Sequence, residues 1–182
     1  MKQIETLLAN TKSRVCICID GRCGAGKSTL AYKLAQTYDG AIVHMDHFFL
    51  PANLRSENRV NVHYERFLEE AAPYLRIQKT FSYRVFDCKT MMFSRETKIE
   101  DNRLIIVEGA YCMLPQLANL YHYKIFADIG KHEQRQRIIE RNGVDAYKVF
   151  EEKWIPIEEA YFEKYSVKER CDYYIKEGYN VL

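Results

Sequence analysis

Apolar residues in this chain fall into short runs set between longer stretches with one apolar face. Val15, Cys16, Ile17, Cys18 and Ile19 form a continuous apolar run without alternation, the pattern of a strand buried on both faces. Further strand-like runs stand at 41–45, 103–107, 123–127 and 173–176, which predicts five parallel strands. Between them the spacing is helical. Leu30, Ala31, Leu34 and Ala35 mark the inner face of a helix over 27–38, and Phe67, Leu68 and Ala71 that of one over 62–75. Residues 131–141 and 145–165 read as helices, the second with a break near Pro156. Ile4, Leu7 and Leu8 share helical spacing and suit a helix covering an edge of the fold. Residues 81–93 are rich in β-formers and read as a strand or hairpin. The polar segment 51–61, with Pro51, Asn53, Ser56 and Asn58, reads as a loop. Strands alternating with helices predict an α/β doubly wound sheet. No repeat or linker interrupts the pattern, so the 182 residues are expected to form one domain.

Composition narrows the function classes. With 27 basic and 25 acidic residues the formal net charge is +2, so no global field draws the chain to nucleic acid or to an anionic membrane. The apolar runs are too short to span a bilayer. The first twenty residues mix Lys2, Gln3 and Glu5 among apolar residues, unlike a secretory leader. The six cysteines form no C-x-x-C pair. Cys16 and Cys18 share one strand face, a poor geometry for a disulfide. Reduced thiols and a cytoplasmic location are therefore expected, without a structural zinc site.

The first apolar run leads straight into the chemistry. Gly21, Arg22, Cys23, Gly24, Ala25, Gly26, Lys27 and Ser28 fit G-x-x-x-x-G-K-[ST] at every fixed position, with a buried strand before and a helix after. Glycines let successive backbone N–H groups curl around phosphate oxygens, and the helix adds its positive amino end. Lys27 is placed to meet the β- and γ-phosphates of ATP, Ser28 to ligate Mg²⁺, and Thr29 to donate to the α-phosphate. The pattern is shared by kinases, GTPases, motors and regulatory ATPases, so other residues must separate them.

Two carboxylates and a set of arginines do so. Asp46 stands just past the second strand run, where a base for an acceptor hydroxyl is needed; a turn or capping role is its plainer meaning. Its neighbours His44 and His47 read as packing or surface groups rather than metal ligands. Glu108 follows the Ile105, Ile106, Val107 run and suits Mg²⁺, held directly or through water. Lys27, Asp46 and Glu108 all fall at carboxyl ends of strands, where such sheets bind ligands. Arg135, Arg137 and Arg141 lie on the helix over 131–141, with Arg137 and Arg141 on one face and the helix stop Asn142, Gly143 behind them as a hinge. Arginines on a movable segment can close over a γ-phosphate and exclude water, the feature that separates a kinase from a wasteful ATPase.

In order, Ile19, Asp20 and the Gly21 to Ser28 residues, then His44 to Phe49, then Val107, Glu108 and Gly109, then Arg137 to Gly143, then Trp154, Ile155 and Pro156 before Cys171 and Asp172, resemble the uridine kinase family. The resemblance covers nearly the whole chain, within the wider group of uridine, phosphoribulose and pantothenate kinases. It is similar above all to short bacterial proteins of uridine kinase-like type. It implies a P-loop NTPase fold with a small β-hairpin and a lid. It also implies Asp46 as catalytic base, Lys27 and Ser28 on phosphate and Mg²⁺, Glu108 near the metal, and Arg137 and Arg141 in the lid. On the acceptor it implies Asp46, Phe49, His63, Arg84 and Phe86. Three positions differ from the family pattern: Phe49 replaces a tyrosine, His63 stands nearest to an aspartate that grips ribose hydroxyls, and Phe86 followed by Asp87 replaces a Tyr-Asp pair.

The expectation is therefore an ATP- and Mg²⁺-dependent kinase of a small metabolite, with the 5′-hydroxyl of uridine or cytidine as leading acceptor. A kinase of a sugar phosphate or vitamin precursor and a nucleotide-binding switch stay open, as does self-association. Asp46 and the lid arginines favour transfer over switching.

Overall fold

Seven consecutive buried residues, Val15–Gly21, form β1 and the centre of a five-stranded sheet. The computed structural model describes residues 2–54, 60–88 and 90–176. Strand β1 is paired in parallel with β5 (Leu104–Glu108) on one side and β6 (Tyr123–Asp128) on the other. The short strands β2 (Ala41–His44) and β7 (Tyr173–Lys176) close the edges, giving the order β2-β5-β1-β6-β7. Alternate residues point to opposite faces. Cys16, Cys18, Ile105 and Val107 therefore enter one core cluster, while Val15, Ile17, Ile19 and Ile106 enter the other. Among the described residues no two cysteines form a disulfide.

Helix α2 (Lys27–Tyr38) covers the second face with Leu30, Ala31 and Leu34, joined by Ile4 of α1 (Lys2–Asn10). The first face is covered by α3 (Tyr64–Glu70), by α6 (Ile155–Lys164) and by an antiparallel hairpin of β3 (Phe81–Asp87) and β4 (Met92–Ile99). The 81–93 run is thus the first part of a hairpin that extends to Ile99. Helix α4 (Lys131–Asn142) follows β6, and α5 (Val144–Val149) follows α4 after Gly143. Among the described residues no helix is long and apolar enough to cross a membrane.

Two helix expectations are corrected by proline chemistry. The helix expected over 62–75 stops at Glu70 and tightens into a 3₁₀ turn, Ala72–Tyr74. Pro73 has no N–H to continue the α pattern. The break expected near Pro156 is instead a widened π turn, Phe150–Trp154, joining α5 to α6. The wider turn accommodates a residue that lacks an N–H and whose ring presses on the preceding turn. Of the loop expected over 51–61, residues 55–59 lie outside the described residues.

Topology fixes where a ligand fits. From β1 the chain passes to β2, beyond β5; from β5 it passes to β6, on the far side of β1. Two neighbouring strands thus release the chain in opposite directions, and a crevice opens at their carboxyl ends. Pairing of Glu108 with Ile19 and with His44 brings the ends of β1, β2 and β5 level at its rim.

Candidate active site

The crevice holds a cleft of about 850 Å³. Its floor is the loop between β1 and α2. Gly21 has φ +131°, and a Cβ there would stand 2.0 Å from the Ala127 carbonyl oxygen, so only glycine lets β1 and β6 approach this closely. Cys23, Gly24, Gly26, Lys27, Ser28 and Thr29 line the cleft. Lys27 folds back, its Nζ donating to the carbonyls of Gly21 at 2.6 Å and Arg22 at 3.0 Å. Ala25 is buried in the core under α2. The Arg22 side chain leaves the cleft, pairing with Asp128 and, at 2.5 and 2.7 Å, with both oxygens of Glu159.

The loop is also held from beneath. Asp20 is buried at the end of β1, its Oδ1 accepting from Gly21 N–H at 2.7 Å. Its Oδ2 accepts from Met113 N–H at 2.9 Å and from the Tyr161 hydroxyl at 2.8 Å. Burial pushes its carboxyl up to about 6, against the pull of these donors and of the Lys27 charge.

Glu108 sits across the loop from β1. Its Oε2 accepts from the Ser28 hydroxyl at 3.0 Å, and its Oε1 lies 2.5 Å from His44 Nδ1. Burial raises the pKa of Glu108, but the hydrogen bond and charge of His44, with Lys27 and Ser28, outweigh it and hold the carboxyl below its ordinary value. Hydroxyl and carboxylate oxygens are the hard donors that Mg²⁺ takes, with phosphate and water filling its remaining positions. Among the described residues no cluster of three or more His, Cys, Asp or Glu forms an all-protein metal cage. The Ser28 and Glu108 pair fits a metal shared with a nucleotide.

Asp46 follows β2 in a 3₁₀ turn, Met45–Phe48, and lines the same cleft. The backbone of Gly109 lets it approach: a Cβ there would lie 2.9 Å from Met45 Cβ and 3.4 Å from Asp46 Oδ1. The Asp46 side chain is exposed to the open cleft. The protein walls crowding round it first, and then the charge of Glu108, raise its pKa, while Lys27 and His44 oppose. A raised carboxylate is a better proton acceptor than an ordinary one. Phe49 stands beside it. Opposite, Arg137 and Arg141 of α4 reach the rim. Arg137 donates to Gly24 O at 3.3 Å and pairs with Glu133; Arg141 lies 6.0 Å over the Phe150 ring. Phe150 and Trp154 of the π turn complete that wall.

No protein-family model matches the chain. Over 135 residues, 72% of its length, it is 25% identical to uridine-cytidine kinase D of Dictyostelium discoideum, and that match spans 27% of the Dictyostelium protein. Over 156 residues, 78% of its length, it is 24% identical to the uridine kinase of Ureaplasma parvum, spanning 75% of that protein. Its fold matches the structure of a possible uridine kinase from Bacillus stearothermophilus with a TM-score of 0.71 at 19% identity, covering 96% of this chain and 95% of the other. The chain has the fold of a P-loop kinase and is similar in sequence to uridine kinases.

The cleft of this kinase-like chain gathers most of the residues expected from the sequence. His63, Arg84 and Phe86 do not line it. His63 caps α3, its ring 3.9 Å from the Glu65 carboxylate. Arg84 is half exposed on β3 and bound to Glu70 at 2.8 and 2.5 Å. Phe86 is buried against Phe93, ring centroids 5.6 Å apart. Sequence reasoning also passed over residues that do line the cleft: Asn61, Cys88, Tyr111, Phe150, Trp154 and Glu158. Tyr111 carried a signal, three positions past Glu108 at the strand end. The others are brought in by distant elements. His44, read as a packing group, is the partner of Glu108.

Proposed function

We propose that the chain transfers the γ-phosphate of ATP, bound with Mg²⁺, to a hydroxyl of a small metabolite, the 5′-hydroxyl of uridine or cytidine first among the candidates. The observation that carries this reading is a carboxylate of raised pKa, Asp46, facing into the same cleft as Lys27, Ser28 and Glu108. A switch needs no such base opposite its phosphates; a kinase does.

Each residue then has a task. Loop N–H groups from Gly24 to Ser28 hold the phosphates, and Lys27 exchanges its two carbonyl partners for phosphate oxygens. Ser28 and Glu108 would hold Mg²⁺, which when bound neutralises charge on the phosphate oxygens. Asp46 takes the proton of the acceptor hydroxyl. The acceptor oxygen bonds to the γ-phosphorus as the bond to the β-phosphate bridging oxygen breaks, and ADP leaves. Arg137 and Arg141 close over the transferring group and keep water out.

The test is a panel of nucleosides, sugars and other alcohols incubated with ATP and Mg²⁺, with ADP release measured with and without acceptor. Uridine or cytidine should raise the rate well above the acceptor-free level. Release that no acceptor stimulates would mark a switch or an ATPase. Stimulation by a different metabolite alone would keep the kinase and move the acceptor.

A further inference from the structure

Glu108 is buried at the end of β5, and one of its oxygens, Oε2, accepts from the Ser28 hydroxyl. The other, Oε1, lies 2.5 Å from Nδ1 of His44, the last residue of β2. The two residues are register partners on neighbouring parallel strands, so their side chains leave the sheet on the same face. Glu108 is held below its ordinary pKa and is ionised near neutral pH. An ionised carboxylate only accepts, so His44 Nδ1 carries the proton and donates it.

The imidazole is fixed as well as its partner. It meets the His47 ring edge-on, centroids 5.0 Å apart, and the Tyr32 ring at 6.1 Å. His47 is in turn hydrogen-bonded to the Tyr83 hydroxyl of the hairpin at 3.1 Å. Packing alone would be served by any ring in this place. What the imidazole adds is one N–H aimed at one oxygen of the carboxylate. A carboxylate free to rotate turns either oxygen to a cation; one pinned at Oε1 presents Oε2 in a fixed direction, beside the Ser28 hydroxyl. Groups that stand behind a ligand in this way tune a metal through the ligand they orient.

We propose that His44 is a positioning residue for the Mg²⁺ site: its Nδ1–H pins Oε1 of Glu108 and so presents Oε2, together with the Ser28 hydroxyl, to the metal. Asp46 follows His44 by two residues, in the turn Met45–Phe48. One short stretch therefore sets both the base and the partner of the metal carboxylate. The inference rests on Ser28 and Glu108 holding Mg²⁺ as the proposed function requires.

The experiment needs no acceptor. Affinity for a non-hydrolysable ATP analogue is measured by calorimetry in EDTA and in Mg²⁺, and the ratio of the two is the gain due to the metal. Two variants separate the donor from the ring. His44→Phe keeps a ring against His47 and Tyr32 but has no N–H. His44→Asn loses the ring but carries an amide N–H near the place of Nδ1. In His44→Phe the gain should fall by about tenfold to a hundredfold, while affinity in EDTA stays within about threefold of the parent. In His44→Asn the gain should stay within about threefold of the parent. A gain that survives in His44→Phe overturns the inference and leaves His44 a packing group. A gain lost equally in both variants also overturns it, as does an affinity in EDTA that falls as far as the affinity in Mg²⁺. Should His44→Phe not fold with Glu108 left unpaired, His44→Ala, whose vacated space admits water, carries the same comparison. If the parent itself gains nothing from Mg²⁺, the metal reading of Ser28 and Glu108 falls and this inference falls with it.

Discussion

The proposed phosphate side of the cleft and its proposed acceptor side are built on different plans. Nearly all of the phosphate side comes from one stretch, residues 21–29, fixed from beneath by Asp20 and from beside by Glu108. Its spacing is set by local backbone geometry, because each N–H must face one phosphate group. The acceptor side is assembled from pieces far apart in the chain: the 3₁₀ turn bearing Asp46 and Phe49, then Asn61, Cys88 at the hairpin, Tyr111, and the arm with Phe150, Trp154 and Glu158. A local cradle has one workable sequence pattern, whereas a wall made of five segments has many. The phosphate machinery can therefore stay constant while the acceptor changes.

The sharpest way to break this comparison is Asp46→Asn. Asparagine keeps shape and hydrogen bonding but has no basicity. If the two sides are separate, ATP binding should survive while transfer falls by roughly a hundredfold to ten-thousandfold, the span for a positioned acid–base group. ATP affinity and acceptor-dependent ADP release on one purified variant read both. Loss of Mg²⁺-dependent ATP binding would assign Asp46 to the phosphate side, and a rate within a few-fold of the parent would leave it a turn residue. Lys27→Ala is the converse. It should cost at least about a hundredfold in transfer without disturbing the fold, since Lys27 serves charge and not the core. Near-normal turnover by the folded variant would sink the ATP site.

The same contrast explains what could be read in the sequence. The five strands, α2, the glycine loop, and the placing of Lys27, Asp46 and Glu108 at strand ends were legible, because apolar periodicity and local spacing encode them. The contacts of α6 were not. Glu158 meets Cys23 across 135 positions, Glu159 meets Arg22 across 137, and Tyr161 meets Asp20 across 141. Nothing in the local pattern distinguishes these glutamates from a solvated helix face. Asp20 carried a fainter signal, a carboxylate closing an otherwise apolar strand, where burial demands donors. Arg84 and His63 stand outside the cleft lining. They lie on the expected elements, but their side chains are taken up by Glu70 and Glu65.

The lid sharpens the comparison at a smaller scale. Arg137 is held by Gly24 O and Glu133, whereas among the described residues Arg141 meets its neighbour Asn142 and the Phe150 ring. Arg141→Ala should lower turnover by about tenfold to a hundredfold, one charge-assisted contact, with ATP affinity changed far less. A collapse of ATP affinity with turnover of bound ATP intact would place Arg141 in ground-state binding.

The anchoring of the loop can be tested by pH. The folded pKa of Asp20 is raised above its ordinary 3.8, to about 6. The folded state therefore holds this proton more tightly, and the group's contribution to stability is complete below about 3.8 and lost as pH rises through about 6. Tyr161→Phe removes a donor to the ionised form. Its cost should be about 1–3 kcal/mol near pH 7.5, where Asp20 is charged, and clearly less near pH 5. Thermal unfolding at the two pH values reads the difference. An equal cost at both would mean that the hydroxyl serves Met113 N–H, 3.1 Å away, rather than the charge.

Arg84→Ala carries the smallest expected effect and asks where the acceptor side ends. The guanidinium is 52% exposed and pairs with Glu70, which keeps Arg66 at 3.1 Å and the Arg84 backbone N–H at 2.9 Å when the side chain is removed. An exposed ion pair contributes at most about 1 kcal/mol. The midpoint of unfolding should thus drop by no more than about 4 °C for a chain of this size. The acceptor KM should stay within about twofold, because the side chain turns toward α3 and not into the cleft. A KM raised tenfold, with stability unchanged, would mean that the hairpin swings Arg84 onto the acceptor when the cleft closes. The acceptor wall would then extend from Glu158 on one side to β3 on the other, and the family expectation for this arginine would hold in the closed state.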